Sequence, residues 1–340
     1  MAKRAIKTNA NSSLLTALEF IEPVMKDDGT PSQTHLILNH KFAFAFDGTI
    51  AIGHPIEEDL ACCPQFNGLK AALKKSKDAV AISLKDYSTL AIASGRLKVN
   101  VQCIQYHMLM VTQPDVLQYA VNDTIKTGFD LLSGIIDEKS DRIVTSSLSL
   151  NAGSMMATDG NLFLEYWHSH SLPTMIVPKS VISIVSKVAQ KLVGIGCTPN
   201  RSITFWFENG AWIKSLLRSE DWPNVKHITD TPLDGLGALP VGLIEAVEAV
   251  LPHSMEAAVY FADGRLRSHH ADQGDTGASY DVDGLTAGPI YNGEKLLKVL
   301  KLAKQIQFST TLGNKVDMKS TTACGFYGDN IRGFLMPRSR

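Results

Sequence analysis

Apolar residues recur along the chain first at helical spacing and then at strand spacing, and this alternation returns three times. Leu14, Ala17, Leu18 and Ile21 stand at i, i+3, i+4 and i+7, which sets them on one stripe of a helix. Leu117, Ala120, Val121 and, less regularly, Ile125 predict a second such helix. Leu243, Ala246, Val247 and Val250 predict a third. Short β-rich stretches follow, HLILNHKFAFAFDGTIAIGHPI over 35–56 and SLSLNAGSMMATDGNLFLEYW over 147–167. Asn39 and Asn151 are 112 apart, as are Asp47-Gly48 and Asp159-Gly160, and the Asp-Gly pairs predict hairpin turns. Asp263-Gly264, in AVYFADGRLRS, predicts the same hairpin in a third copy.

Each copy then predicts a second helix, over 67–77, 178–191 and 292–304. Pro178 suits the first turn of the middle one. Strand pairs close the copies at 80–103, 202–219 and 307–337, with Gly95, Gly210 and Gly313 near their turns. Linkers are expected around 105–115 and over the Gly- and Pro-rich 227–240. The pattern therefore predicts an α+β chain of three repeated domains, 1–110, 111–230 and 231–340, each with two helices packed on antiparallel sheet. About 110 residues is enough for each to build its own core.

Composition narrows the class. With 340 residues, 44% hydrophobic and 20% charged, the chain is neither disordered nor collagen-like, and five cysteines make no disulfide scaffold. Cys62 and Cys63 are adjacent, Cys103, Cys197 and Cys324 are far apart and no CxxC occurs, so reduced, buried thiols are expected. No apolar run is long enough to span a bilayer, and MAKRAIKTNANSSLL lacks the apolar core of a signal peptide. A cytoplasmic protein with no membrane partner is expected.

The net charge of −1 argues at first against a nucleic-acid partner. Its distribution argues otherwise. The three second-helix segments carry Lys70, Lys74, Lys75, Lys77, Lys179, Lys187, Lys191, Lys295, Lys298, Lys301 and Lys304 against one acid, Glu294, a local +10; the remainder carries −11. At 3.6 residues per turn Lys70, Lys74 and Lys77 share one face within about 60°, and Lys187 and Lys191 lie one turn apart. On any one helix such lysines can simply face solvent. Their recurrence in all three copies, without base-reading Arg or Asn, fits contact with a phosphate backbone. The first helices weigh against it, since they carry Glu19 and Glu22, Asp115 and Asp123, Glu245 and Glu248.

Catalytic constellations are sparse. Asp275-Thr276-Gly277-Ala278-Ser279 looks like an aspartic-protease turn, but no second Asp-Thr-Gly occurs, so such a hydrolase would need a homodimer; the alternative is a Gly-rich hairpin. His168, His170, His269 and His270 lack accompanying ligands at metal-binding spacing. Asp281-Val282-Asp283-Gly284 lacks the rest of a calcium loop, and no GxxxxGK or GxSxG occurs. A protein without catalytic residues, cofactor or metal is expected.

Three segments resemble the bacterial sliding clamp, the beta subunit of the replicative DNA polymerase. They are MATDGNLFLEYW followed by TMIVPKSVISIVSKV, the stretch Ser219-Glu220-Asp221-Trp222-Pro223-Asn224, and the ending Gly333-Phe334-Leu335-Met336-Pro337-Arg338. The resemblance implies a DNA polymerase processivity factor, two copies forming a closed six-domain ring, head to tail, around duplex DNA. It implies a polymerase and a clamp loader as partners, the loader hydrolysing any ATP. The lysines then become DNA-binding candidates: Lys70, Lys74, Lys77, Lys179, Lys187, Lys191, Lys295, Lys298 and Lys301. The family's partner-peptide pocket, carried over by motif, falls on Thr158, Gly160, Leu162, Met336, Pro337 and Arg338, with Ile228 from the linker. The family usually has two polar or basic residues after the ATDG turn, whereas this chain has Asn161 and then Leu162. The alternatives are the hydrolase and a repeat module that does not close into a ring.

Overall fold

A computed structural model describes residues 6–8, 13–76, 79–86, 88–110, 112–270, 276–312 and 321–338. Lys77 and Asp275, both singled out above, lie outside them. The described strands fall into three runs of eight. The first is β1 (Ile6–Thr8), β2 (Ile37–Asn39), β3 (Phe42–Phe46), β4 (Ile50–Pro55), β5 (Ala61–Pro64), β6 (Val80–Asp86), β7 (Thr89–Ser94) and β8 (Leu97–Ile104). The second is β9 (Tyr119–Ala120), β10 (Ser147–Leu150), β11 (Ser154–Thr158), β12 (Leu162–Trp167), β13 (Met175–Pro178), β14 (Leu192–Thr198), β15 (Ser202–Phe207) and β16 (Trp212–Leu216). The third is β17 (Gly237–Ala238), β18 (Ala258–Ala262), β19 (Arg265–Arg267), β20 (Ser279–Asp281), β21 (Ile290–Asn292), β22 (Gln305–Leu312), β23 (Thr321–Gly328) and β24 (Ile331–Leu335). Two longer helices punctuate each run: α1 (Ser13–Ile21) and α2 (Phe66–Lys75), α3 (Thr124–Ser133) and α4 (Lys179–Val185), α5 (Leu243–Val250) and α6 (Gly293–Leu302).

Strand pairing repeats with the runs. The second to fifth strands are ordered β5-β2-β3-β4, β13-β10-β11-β12 and β21-β18-β19-β20. The others are ordered β1-β6-β7-β8, β9-β14-β15-β16 and β17-β22-β23-β24. Consecutive runs are sewn together by one kind of junction, the fourth strand of a run against the eighth strand of the next. Between the first two runs β4 pairs β16, with Gly53 opposite Trp212 and Ile52 opposite Ile213. A Cβ on Gly53 would come within 2.3 Å of the Trp212 ring, so glycine is what lets the indole lie flat on the strand. Between the second and third runs β12 pairs β24, with Phe163 opposite Phe334 and Glu165 opposite Arg332.

By compactness the chain divides into two units, Met1–Asp130 with Ser180–Ser219, and Leu131–Lys179 with Glu220–Arg340. The first holds the twelve-stranded sheet running from β1 to β9, and the second the eight- and four-stranded sheets.

The apolar stripes set the helices as expected in the outer runs. Leu14, Ala17, Leu18 and Ile21 are buried, as are Leu243, Ala246, Val247 and Val250. The middle run differs. Leu117 is exposed, Ala120 lies in β9 against β14, and the helix begins only at Thr124, burying Ile125, Phe129 and Leu132. The Asn122 side chain accepts the Thr124 backbone N–H at 2.9 Å and fixes that later start. The helix expected to reach 191 stops at Val185, because the Lys126 ammonium draws in the Val188 and Gln190 carbonyls at 2.9 Å each and turns the chain toward β14. Asp263-Gly264 is also displaced. It joins β18 to β19, the first two strands of its sheet, whereas Asp47-Gly48 and Asp159-Gly160 join the second to the third. Asp263 lies 112 beyond Asn151 and so matches the hairpin of Asn39 and Asn151; its Asp-Gly identity, only 104 beyond Asp159, is what put it one hairpin out of step.

Candidate peptide groove and lysine surfaces

The lysines separate once their partners are known. On α2, Lys70 is nearly buried; its ammonium pairs with Glu22 and lies 5.7 Å from the centre of the Phe66 ring. Lys74 stands 3.6 Å from Glu19, half exposed. On α6, Lys301 pairs with Glu248 of α5 at 2.8 Å. Glu19, Glu22 and Glu248, three of the six acids that weighed against a phosphate surface, are thus counter-ions of second-helix lysines, whereas Asp115 and Asp123 pair with Lys214 and Lys126. Lys75, Lys187 and Lys191 are exposed and make no ion pair among the described residues.

Three further lysines converge elsewhere, around the chain leaving α3. Lys179 donates to the Ile136 carbonyl at 2.5 Å, Lys298 donates to the Gly134 carbonyl at 2.8 Å, and Lys295 pairs with Asp159 at 2.8 Å. Ammonium groups suit carbonyls left unpaired past a helix C-terminus. Burial, and then Lys179 and Lys295, hold the Lys298 ammonium below the usual lysine range, with Asp159 opposing them. Local periodicity does not reveal this convergence, since Lys179 and Lys295 are 116 positions apart and come near each other only where β12 pairs β24.

Asp159 belongs to the turn that opens the groove expected for a partner peptide. Its carboxylate accepts the N–H groups of Asn161 and Leu162 at 2.9 and 2.8 Å, Thr158 accepts that of Gly160 at 3.0 Å, and Gly160 adopts φ +91°. Beside the turn, Met336 donates to the Asn161 carbonyl at 2.8 Å and Arg338 donates to Ile290 at 2.7 Å, which brings the chain end alongside. Gly160, Asn161, Lys295, Met336, Pro337 and Arg338 line a cavity of about 590 Å³. The Arg338 guanidinium is held by the Glu256 carbonyl and carboxylate at 2.7 and 2.8 Å.

Through Met336 this cavity adjoins an apolar cluster of Phe163, Leu233, Leu312, Ala323 and Phe334. Met156, Ile228, Leu236, Tyr327 and Met336 are half-buried against it. Ile228 and Met336, both named from the sequence, pack against the same cluster. Leu162 does not join them. It is wholly buried on the other face of β12, and Phe163 takes the place in the cluster. Side chains alternate along a strand, so neighbouring positions face opposite sides. Phe163, Met156, Leu233 and Tyr327, which the sequence did not single out, belong to or pack against the same cluster.

The competing chemistry finds little support. Among the described residues no cluster of three or more His, Cys, Asp or Glu could hold a metal ion. His168 and His170 stack at 5.7 Å, and His168 is buried with Nδ1 accepting the His170 N–H at 3.0 Å. Thr276 and Gly277 lie in the connection between the paired strands β19 and β20. All five cysteines are free, four of them buried, and burial pushes the Cys63 thiol up to about 11. Among the described residues no helix is long and apolar enough to cross a membrane.

No family model and no curated protein sequence matches the chain. Solved structures do. A sliding clamp (DNA polymerase III subunit beta) from Pseudomonas aeruginosa, bound to griselimycin, is similar over 100% of both chains with a TM-score of 0.78 and 16% identity. The beta sliding clamp of C. crescentus is similar over 100% of both chains, TM-score 0.77, at 18% identity. The Helicobacter pylori beta clamp bound to a DNA ligase peptide is similar over 99% of this chain and 100% of its own, TM-score 0.75, at 14% identity. The chain, with its thrice-repeated pattern of eight strands and two helices, has the bacterial sliding-clamp fold.

Proposed function

We propose that the protein is a non-catalytic processivity factor of a DNA polymerase, a cytoplasmic clamp whose two copies close head to tail around duplex DNA. The carrying observation is the repeated junction. Strand four of a run pairs strand eight of the next, at β4–β16 and β12–β24, and this leaves β20 and β8 without their counterparts. No described strand pairs the outer edge of β20, or that of β8 over Leu97–Gln102. Unpaired edges recruit strands. A second copy supplies both missing partners, and two such closures between two copies use the free edges of β8 and β20 in each. The repeats would then be three domains, 1–110, 111–230 and 231–340.

Within this reading the apolar groove around Phe163, Ile228 and Met336 takes extended peptides of the polymerase and of a clamp loader. Lys74, Lys75, Lys187, Lys191 and Lys301 supply nonspecific attraction to phosphates, which lets a ring slide without preferred register. Lys70, Lys179, Lys295 and Lys298 are left out of that surface, because each ammonium is engaged inside its own unit on a buried or half-buried side chain, whereas Lys74 and Lys301, though paired with Glu19 and Glu248, stay exposed.

The closure is tested in β8. Successive amides point to opposite sides of a strand, so of Val99→Pro and Asn100→Pro one removes an N–H facing β7 and the other an N–H on the free edge. Native mass spectrometry should show a two-chain species for the parent protein. The free-edge variant should be a folded single chain. A parent that is monomeric at micromolar concentration sinks the ring.

A further inference from the structure

The free edges of β20 and β8 each have an apolar side and a charged side. In β20, Tyr280 stands opposite Leu266, which is wholly buried, and Asp281 stands opposite Arg265. Tyr280 is therefore on the core face and Asp281 on the outer one. In β8, Val99 and Val101 stand opposite the buried Ile92 and Leu90, while Lys98 and Asn100 stand opposite Ala93 and Ala91 on the outer face. We infer that two closing copies pair in one antiparallel register, with Asp281 of one copy opposite Lys98 of the other and Tyr280 opposite Val99, and that this ion pair selects the partner as a second copy of the same chain, an inference that rests on the β20–β8 closure.

The internal junctions set the rule. Both are antiparallel and keep their core faces continuous, with Ile52 opposite Ile213 in one and Leu164 opposite Gly333 in the other. A slip of one residue at the closure would turn Tyr280 to water and Asp281 to the core. Only registers two residues apart remain. Tyr280 is 39% exposed and gains most where the core face of β8 is still open. Val101 is already buried, whereas Leu97 and Val99 are half-buried. Opposite Val99, the Tyr280 ring also reaches Leu97 on the diagonal. Opposite Leu97, it would carry Asp281 past the start of the strand. The chosen register sets Asp281 on Lys98, the one charged residue between Leu97 and Gln102. The outer face of the second junction holds the same combination, an acid on the fourth strand against a base on the eighth, in Glu165 and Arg332. Within its own sheet Asp281 is held loosely, 3.7 Å from Arg265 and 83% exposed. Lys98 places that carboxylate between two cations.

Mixing two variants of the full chain tests the pair. Lys98→Glu and Asp281→Lys each put like charges across both closures of a ring built from one variant. A ring with one copy of each restores opposite charges at both. Both positions are exposed, so neither variant strands a buried group. Each variant alone should form its two-chain species about 25-fold more weakly than the parent, about fivefold at each of two closures. When the two are mixed in equal amounts, one of them 15N-labelled, native mass spectrometry should show the mixed species well above the half expected from random pairing, and higher salt should shrink the excess. A mixed species at that half, or variants that each keep the parent's affinity, overturns the pair; a parent that still forms the two-chain species then leaves the closure in place. A parent without a two-chain species removes both.

Discussion

Arg332 and Glu165 face each other across β12 and β24, joined at 2.6 Å, with the guanidinium also 5.7 Å from the Trp167 ring centre. Both side chains are largely buried, so neither charge finds water if the other is lost. Arg332→Ala should therefore cost about 3–5 kcal/mol in urea denaturation, more than a pair at the surface would. Replacing both partners with apolar residues of similar volume should recover most of that loss; a double variant as unstable as the single one would show that the pair itself, rather than the stranded charge, carries the energy. Nothing in the sequence marks these two residues, which are 167 positions apart. At the same scale Leu162 and Phe163 lie on opposite faces of β12, and which of them packs against the third run depends on a strand partner that is invisible to local periodicity.

At the scale of elements the outer runs were legible because their helices carry full apolar stripes and meet only their own sheets. The middle run was not, because the segment before its helix is committed to something else. Asp115 is buried in β14–β16, where Thr198, Ser202 and Thr204 donate their hydroxyls to it at 2.6 to 3.0 Å, Lys214 lies at 3.3 Å, and its carbonyl accepts the Trp206 indole N–H at 3.0 Å. That anchorage draws the following residues into β9 and postpones the helix. Burial pushes the Asp115 carboxyl up, but the three hydroxyls and Lys214 outweigh it and hold it below the usual aspartate range. The unfolded chain therefore binds the proton first. The stabilisation is present above an ordinary aspartate pKa of about 3.9 and is lost as pH falls through the lower folded value. Asp115→Ala, which strands three hydroxyls and an ammonium, should cost about 3 kcal/mol at pH 7 in thermal or urea unfolding and flatten the acid limb of the stability profile. An acid limb unchanged in the variant would place the acid sensitivity in other carboxylates.

For the whole molecule, the separation of charge into +10 on three segments and −11 elsewhere reads as a basic surface when only the sequence is known. In three dimensions much of it is cancelled locally: Glu22, Glu19 and Glu248 sit on Lys70, Lys74 and Lys301, and three more lysines are spent near Asp159. The proposed clamp would gain from this, because a ring held on DNA by topology needs only weak attraction, and a full set of free lysines would hold phosphates too tightly to slide. The number of free cations sets the salt dependence, since each phosphate neutralised contributes about 0.9 to the slope of log K against log salt. Replacing Lys75, Lys187 and Lys191 with glutamine should lower that slope by about 2 to 3, measured by fluorescence anisotropy on linear duplex DNA between 50 and 200 mM salt. Lys70→Gln and Lys298→Gln, at positions engaged internally, should leave the slope where it was, with Lys70→Gln lowering stability instead because Phe66 and Glu22 lose their partner. Should Lys70→Gln or Lys298→Gln lower the slope as much as the exposed lysines do, the internal pairs must open on DNA and the attraction would come from the full set of eleven.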